Sequence, residues 1–229
     1  MSEALELELA VGETVGPVPA LLVQPAGARW LYVLAHGAGA GMRHPFLDAV
    51  ARALADRGVA TLRYQFPYME RRDRRPDPPG VLEATVRAAV HAASTAAPGL
   101  ALVAGGKSLG GRMTSHAAAK QPLPGVRGLA FLGFPLHPPK RPASERGRHL
   151  DQVTVPMLFL QGTRDDLADL SLLEPVCQRL GPRATLHVVE GADHSFRVLK
   201  RSGRSDAQVL DELAEAVSGW LQTLQAARG

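Results

Sequence analysis

An α/β fold, with one mostly parallel central sheet carrying helices on both faces, is predicted by three features of the 229-residue sequence. Six short, almost wholly apolar runs recur along the chain, as strands covered on both faces require. Five segments of helical apolar spacing lie between and after them, and strands alternating with helices imply βαβ units and a parallel sheet. Composition agrees, since 45% hydrophobic and 21% charged residues suit an ordinary globular chain able to bury a substantial core. One domain over 1–229 is the expectation, as no repeat and no linker interrupts the alternation.

The first two strands differ from the rest. Glu3 to Val11 alternates, with Leu5, Leu7, Leu9 and Val11 on one face and Glu6 and Glu8 on the other, as a half-exposed antiparallel strand does. Ala20 to Gln24 reads as its hairpin partner. Trp30 to Ala35 begins the apolar strands, and Phe46 to Arg57 is the first helix. Val59 to Arg63 with Val81 to Ala96, and Leu100 to Ala104 with Leu109 to Lys120, repeat that strand–helix pair. Leu129 to Leu132 is followed by a polar stretch, then by the strand Met157 to Leu160, the helix Leu172 to Leu180 and the strand Thr185 to Val189. Val209 to Leu224 closes the chain as a helix, with Val209, Leu213, Val217, Trp220 and Leu224 on one stripe. Cys177 shares such a stripe with Leu173, Val176 and Leu180, which marks it as a buried structural thiol rather than a nucleophile.

Several function classes are excluded at this level. No stretch approaches the ~18 unbroken apolar residues of a membrane span, and Met1 to Val11 holds three glutamates and no basic residue, unlike a secretory leader. A single cysteine can form neither an internal disulfide nor a CxxC site, so a reducing compartment, the cytoplasm, is expected. The net charge of +4 raises the question of nucleic acid. Its basic residues gather in three polar loops, around Arg71 to Arg75, Lys140 to Arg148 and Arg197 to Arg204, with no helical Lys/Arg stripe and no interleaved aromatics. Neither a nucleic acid nor a membrane is expected as partner.

Gly106-Lys107-Ser108-Leu109-Gly110 matches G-x-S-x-G, a pattern short enough to need its context. Here an apolar strand precedes it and a helix follows, so Ser108 falls at the sharp strand-to-helix turn of a nucleophile elbow. The turn brings neighbouring strand and helix against positions two before and two after the serine, where only glycine fits. The free N–H groups of the helix start lie where an oxyanion would form. A serine of ordinary acidity needs a base, and in this architecture an acid and then a histidine follow at later strand ends. Asp165 comes after the strand Met157 to Leu160, and His194 after Thr185 to Val189. Carboxyl ends of parallel strands meet at one edge, which gives Ser108, Asp165 and His194 as the catalytic set. Asp166 is the alternative acid, and Asp193 is expected to brace the histidine loop. His36-Gly37-Ala38-Gly39 bends at the end of the strand Trp30 to Ala35, so the backbone N–H groups of Ala38 and Leu109 are the expected oxyanion donors. Lys107 is expected to point away from the histidine. No cofactor and no metal is called for.

The elbow G-K-S-L-G-G-R, with H-G-A-G at 36–39, G-T-R-D at 162–165 and G-A-D-H-S-F at 191–196, resembles the α/β-hydrolases, in particular small hydrolases similar to dienelactone hydrolase. Where the dienelactone enzymes carry a cysteine nucleophile, this chain has Ser108. The resemblance implies a serine hydrolase with a small-molecule acyl substrate, and a short cap over about 133–155 where larger relatives insert a lid. Transfer to another acceptor, thioester or peptide cleavage, and a non-catalytic binding scaffold are the alternatives. If the three basic loops border the pocket mouth, an anionic ester is favoured through a field reaching about 8 Å at physiological salt.

Overall fold

A computed structural model describes residues 4–13 and 15–226. The chain enters through β1 (Leu5–Ala10) and β2 (Pro17–Val23), then runs through β3 (Trp30–Ala35), α1 (Pro45–Ala55), β4 (Val59–Tyr64), the short α2 (Pro67–Glu70) and α3 (Pro79–Ala96). It continues through β5 (Ala101–Lys107), α4 (Leu109–Lys120), β6 (Val126–Leu132), β7 (Met157–Arg164), α5 (Leu170–Leu180), β8 (Ala184–Asp193) and α6 (Asp206–Ala226). The strands form one eight-stranded sheet in the order β1-β2-β4-β3-β5-β6-β7-β8. β1 pairs antiparallel with β2 and β2 with β4, whereas every pairing from β4 to β8 is parallel. This is the expected α/β architecture. Glu3, placed in the first strand by its alternation, lies outside the described residues.

Alternation along the central strands feeds two cores. On β3, Leu31 and Val33 face one side, with Val86 and Val90 of α3 and Met113 of α4, while Tyr32 and Leu34 face the other, with Leu47 and Leu54 of α1 and Leu213 and Val217 of α6. Each buried leucine or valine contributes about 1.5–3 kcal/mol relative to exposure, so helices on both faces are needed to cover the apolar strands. The Tyr32 hydroxyl, wholly buried, donates to the Ala130 carbonyl at 2.7 Å and ties β3 to β6 across intervening β5.

Several boundaries differ from those the side chains imply. β5, β7 and β8 extend past their apolar runs to Lys107, Arg164 and Asp193, because backbone pairing continues after the side chains turn small or polar. β8 was expected to be buried on both faces. As the edge strand it is only partly covered instead, with only Val189 and Ala192 fully buried and Val188 exposed. α2 is too short for its period to register in sequence. The stretch between β6 and β7 holds a polar 3-10 helix, Glu145–Gln152, that buries only Gly147 and Leu150. On α5, Cys177 is partly rather than fully buried, packed against the core, and burial first, then Glu174, pushes its thiol up to about 11.

Candidate active site

β5 ends at Lys107 and α4 starts at Leu109, so a single residue, Ser108, turns the chain. It does so at φ 51° and ψ −116°, a strained backbone for a side chain other than glycine. The neighbours are packed as the elbow requires. A Cβ on Gly106 would stand 2.2 Å from the Ala35 carbonyl oxygen, and one on Gly110 would stand 2.6 Å from the Ala35 Cβ and the His36 oxygen. Strand β3 and helix α4 thus close on the serine from both sides.

Parallel pairing brings the carboxyl ends of β5, β7 and β8 to the same edge. There Ser108 Oγ lies 2.9 Å from His194 Nε2, and His194 Nδ1 lies 2.7 Å from Asp165 Oδ2. A carboxylate only accepts, so Nδ1 carries the proton and Nε2 is left to accept the serine hydroxyl. Asp165 is buried and its carboxylate is filled. Oδ2 also accepts from the Gln161 amide, Oδ1 accepts from the Leu167 N–H at 2.8 Å, and Gln161 Oε1 is fixed by the Phe134 N–H at 3.1 Å. Asp166, the alternative, is exposed. Asp193 Oδ1 accepts from the N–H groups of Ser195 (2.8 Å) and Arg197 (2.9 Å), which braces the loop carrying His194.

His36 is buried and makes no hydrogen bond to Ser108, His194 or Asp165. Its Nε2 accepts from the Phe66 N–H at 3.0 Å, so Nδ1 donates to the Gly37 carbonyl at 2.7 Å, and burial pushes the ring down to about 4. It is a neutral staple between the end of β3 and the start of α2. That staple sets the bend in which Ala38 lines the site, while Leu109 opens α4 next to Ser108. Neither N–H donates to another protein group among the described residues. Ser108, His194 and Ala38 open on a cavity of about 690 Å³, walled by Phe46, Leu47, Phe196 and Leu210. The Phe46 and Phe196 rings lie parallel, 5.8 Å apart.

Residues 28–222 match the family described as alpha/beta hydrolase domain. The chain belongs to the alpha/beta hydrolase family. Among solved structures, this alpha/beta hydrolase is similar to the dienelactone hydrolase of Anabaena variabilis, at 24% identity over 96% of this chain and 97% of that one, with a TM-score of 0.78. It is likewise similar to an alpha-beta serine hydrolase homologue of Coxiella burnetii, at 20% identity over 96% and 98%, with a TM-score of 0.73. A serine hydrolase without lid from Xanthomonas campestris matches at 20% identity over 96% of each chain, with a TM-score of 0.72. Likeness at such identities speaks for the fold.

Two expectations about this alpha/beta hydrolase need correction. Lys107 does not point away from the histidine: its amine is buried near His194 and Asp165, because the glycine at 133 leaves room for it between the ends of β5 and β7. The three basic loops do not jointly border the cavity, which Arg197 alone of their residues lines. Arg71 is held by Asp73 and Asp77, Arg148 by Glu145, and Arg204 by Glu212, so part of that charge is offset locally. Gln161 and Gly133 were not singled out from the sequence, although a lone glutamine inside the apolar run of β7 is a readable signal of a buried hydrogen-bond role. A second serine–histidine contact, Ser115 Oγ to His149 Nε2 at 2.8 Å, lies where α4 meets the 3-10 helix and opens on no part of the cavity. Among the described residues no group of three or more His, Cys, Asp or Glu side chains is arranged to hold a metal ion.

Proposed function

We propose that this alpha/beta hydrolase is a serine hydrolase that cleaves a small carboxylic ester through an acyl-enzyme. The observation that carries the reading is the continuous hydrogen-bonded chain Ser108–His194–Asp165 opening on a cavity large enough for a small organic substrate. Ser108 Oγ attacks the ester carbonyl carbon as its proton passes to His194 Nε2. The imidazolium so formed is held by Asp165, whose carboxylate is kept in place by Gln161 and the Leu167 N–H. The N–H groups of Ala38 and Leu109 receive the oxyanion, at the helix start where partial positive charge gathers. Collapse expels the alkoxide, which takes the proton from His194, and a water then repeats the sequence to free the acid.

The apolar walls from Phe46, Leu47, Phe196 and Leu210 suit the hydrocarbon part of an ester. A fluorophosphonate probe tests the nucleophile, because it bonds only to an activated serine beside an oxyanion site. Peptide mapping should place the adduct on Ser108, and an adduct on another serine would end this assignment.

The acid is tested separately. Asp165→Asn should lower kcat by about 10³–10⁴-fold, since the amide can donate to Nδ1 and turn the ring to the wrong tautomer. Asp166→Asn, at an exposed site, should change kcat by less than about twofold. Steady-state kinetics on 4-nitrophenyl esters, with circular dichroism to check the fold, reads both, and the reverse order would move the acid role to Asp166.

A further inference from the structure

The fold gives no account of the Lys107 amine. Its Nζ is buried, has no hydrogen-bond partner and has no carboxylate oxygen within 4.0 Å among the described residues. An ammonium in such a place is destabilising unless nearby negative charge offsets its lost hydration. Its position is fixed by a glycine. Gly133, at φ 70° just after β6, is placed so that a Cβ there would stand 3.0 Å from Lys107 Nζ and 3.4 Å from both Asp165 Oδ2 and His194 Nδ1. The amine therefore faces the histidine–aspartate bond across a bare Cα. On its other side the Phe196 ring lies 5.4 Å away, a cation–π contact.

The charged groups around this point come from five parts of the fold. Asp165 stands at the end of β7, Asp193 and His194 at the end of β8, and Arg197 on the loop beyond it, while His44 before α1 and Asp206 at the start of α6 lie on the far cavity wall. Two carboxylates, Asp165 and Asp193, thus act on Lys107, and Asp165 is at the same time bonded to His194 Nδ1. Positive charges on Lys107 and His194 would share the one bare Cα of Gly133 between them and repel, so a proton on one disfavours a proton on the other.

We propose that Lys107 is a positioning residue of the triad, whose ammonium supplies the positive charge that Asp165 and Asp193 balance and so leaves His194 uncharged and able to accept the Ser108 proton. The inference rests on the hydrolase reading above. Burial pushes the Lys107 ammonium down to about 8 while Asp165 and Asp193 oppose the fall, so the amine is charged at neutral pH and loses its proton above pH 8. The imidazolium formed during attack is matched by the oxyanion, whereas an imidazolium in the resting site is not. The ammonium therefore acts mainly against resting protonation.

The experiment compares kcat/KM for 4-nitrophenyl acetate from pH 5 to 9 in wild type, Lys107→Met and Lys107→Arg. In Lys107→Met the midpoint of the acid limb should rise by about one to two pH units, so that the ratio of the rate at pH 6 to that at pH 9 falls by about five- to fiftyfold. Lys107→Arg keeps the charge and should lie nearer wild type. KM should stay within about twofold, since methionine keeps most of the stem with which Lys107 lines the cavity and only the buried Nζ is lost. An acid limb in Lys107→Met that coincides with wild type in a folded protein overturns the proposal and leaves Lys107 a packing residue. If that variant does not fold, imidazole ¹⁵N shifts of His194 in the unaltered protein decide. They should move a second time across pH 8, as Lys107 loses its proton, and a His194 signal blind to that step overturns the proposal. Absent esterase turnover and absent fluorophosphonate labelling would count against the hydrolase reading instead, and the ¹⁵N titration would still report on the coupling.

Discussion

Ser108→Ala should lower kcat on a 4-nitrophenyl ester by at least about 10³-fold while the protein keeps its fold. The loss follows from chemistry rather than structure. Alanine removes only the Oγ that lies 2.9 Å from His194 Nε2, and it tolerates φ 51° no worse than serine does. Stability should therefore stay within about 1 kcal/mol of wild type. Ser115→Ala is the matched control, because Ser115 also meets a histidine nitrogen yet sits at a packing contact away from the cavity. Its turnover should remain within about twofold of wild type. Equal losses in the two variants would indicate that helix α4, shared by both, is being perturbed rather than the nucleophile removed.

Gly106→Ala should yield little or no folded protein. The new Cβ would stand 2.2 Å from the Ala35 oxygen and 2.8 Å from its nitrogen, at φ 142°, and its three nearest neighbours all belong to the backbone of central strand β3, which cannot turn aside as a side chain can. Strand separation would have to grow in the middle of the sheet, at a loss on the order of 4 kcal/mol or more, a large part of the stability of an ordinary domain. Gly58→Ala separates this clash from simple backbone strain. Gly58 has φ 73° with nothing within 4 Å of an added Cβ, so only the left-handed conformation is penalised, by about 1–2 kcal/mol. Urea midpoints and soluble yield measure the contrast. A Gly106→Ala protein as stable as Gly58→Ala would mean that β3 and β5 can part at low cost.

The parallel sheet was legible because its strands are buried on both faces, and Trp30 to Ala35 can be read with almost no competing pattern. The elbow was legible because its glycines mark close approaches that no other residue allows. In the sequence Asp165 is preferred to Asp166 because it comes first after the turn and is expected to point toward the histidine loop. The difference between them in the structure, one buried and bonded and the other exposed, arises from Gln161 and the Leu167 N–H, contacts set by the loop and invisible to spacing. Lys107 was misread for a related reason. Its direction depends on room left by Gly133, 26 residues later and just beyond the end of another strand, and no local pattern carries that information. The burial of β8 was overestimated because composition reports apolar content and not position in the sheet order.

Cys177 bears on how the protein can be studied by covalent labelling. With its thiol pushed up to about 11, only about one molecule in ten thousand carries the reactive thiolate at pH 7. A cysteine introduced at exposed Ala207, on the cavity rim, would have a thiol near the ordinary value of about 8.5 and a thiolate fraction hundreds of times larger. A maleimide dye then attaches at the rim while the native thiol stays silent. The rim thiol therefore takes the dye well before Cys177 does, and serves as a fluorescent reporter of what enters the cavity.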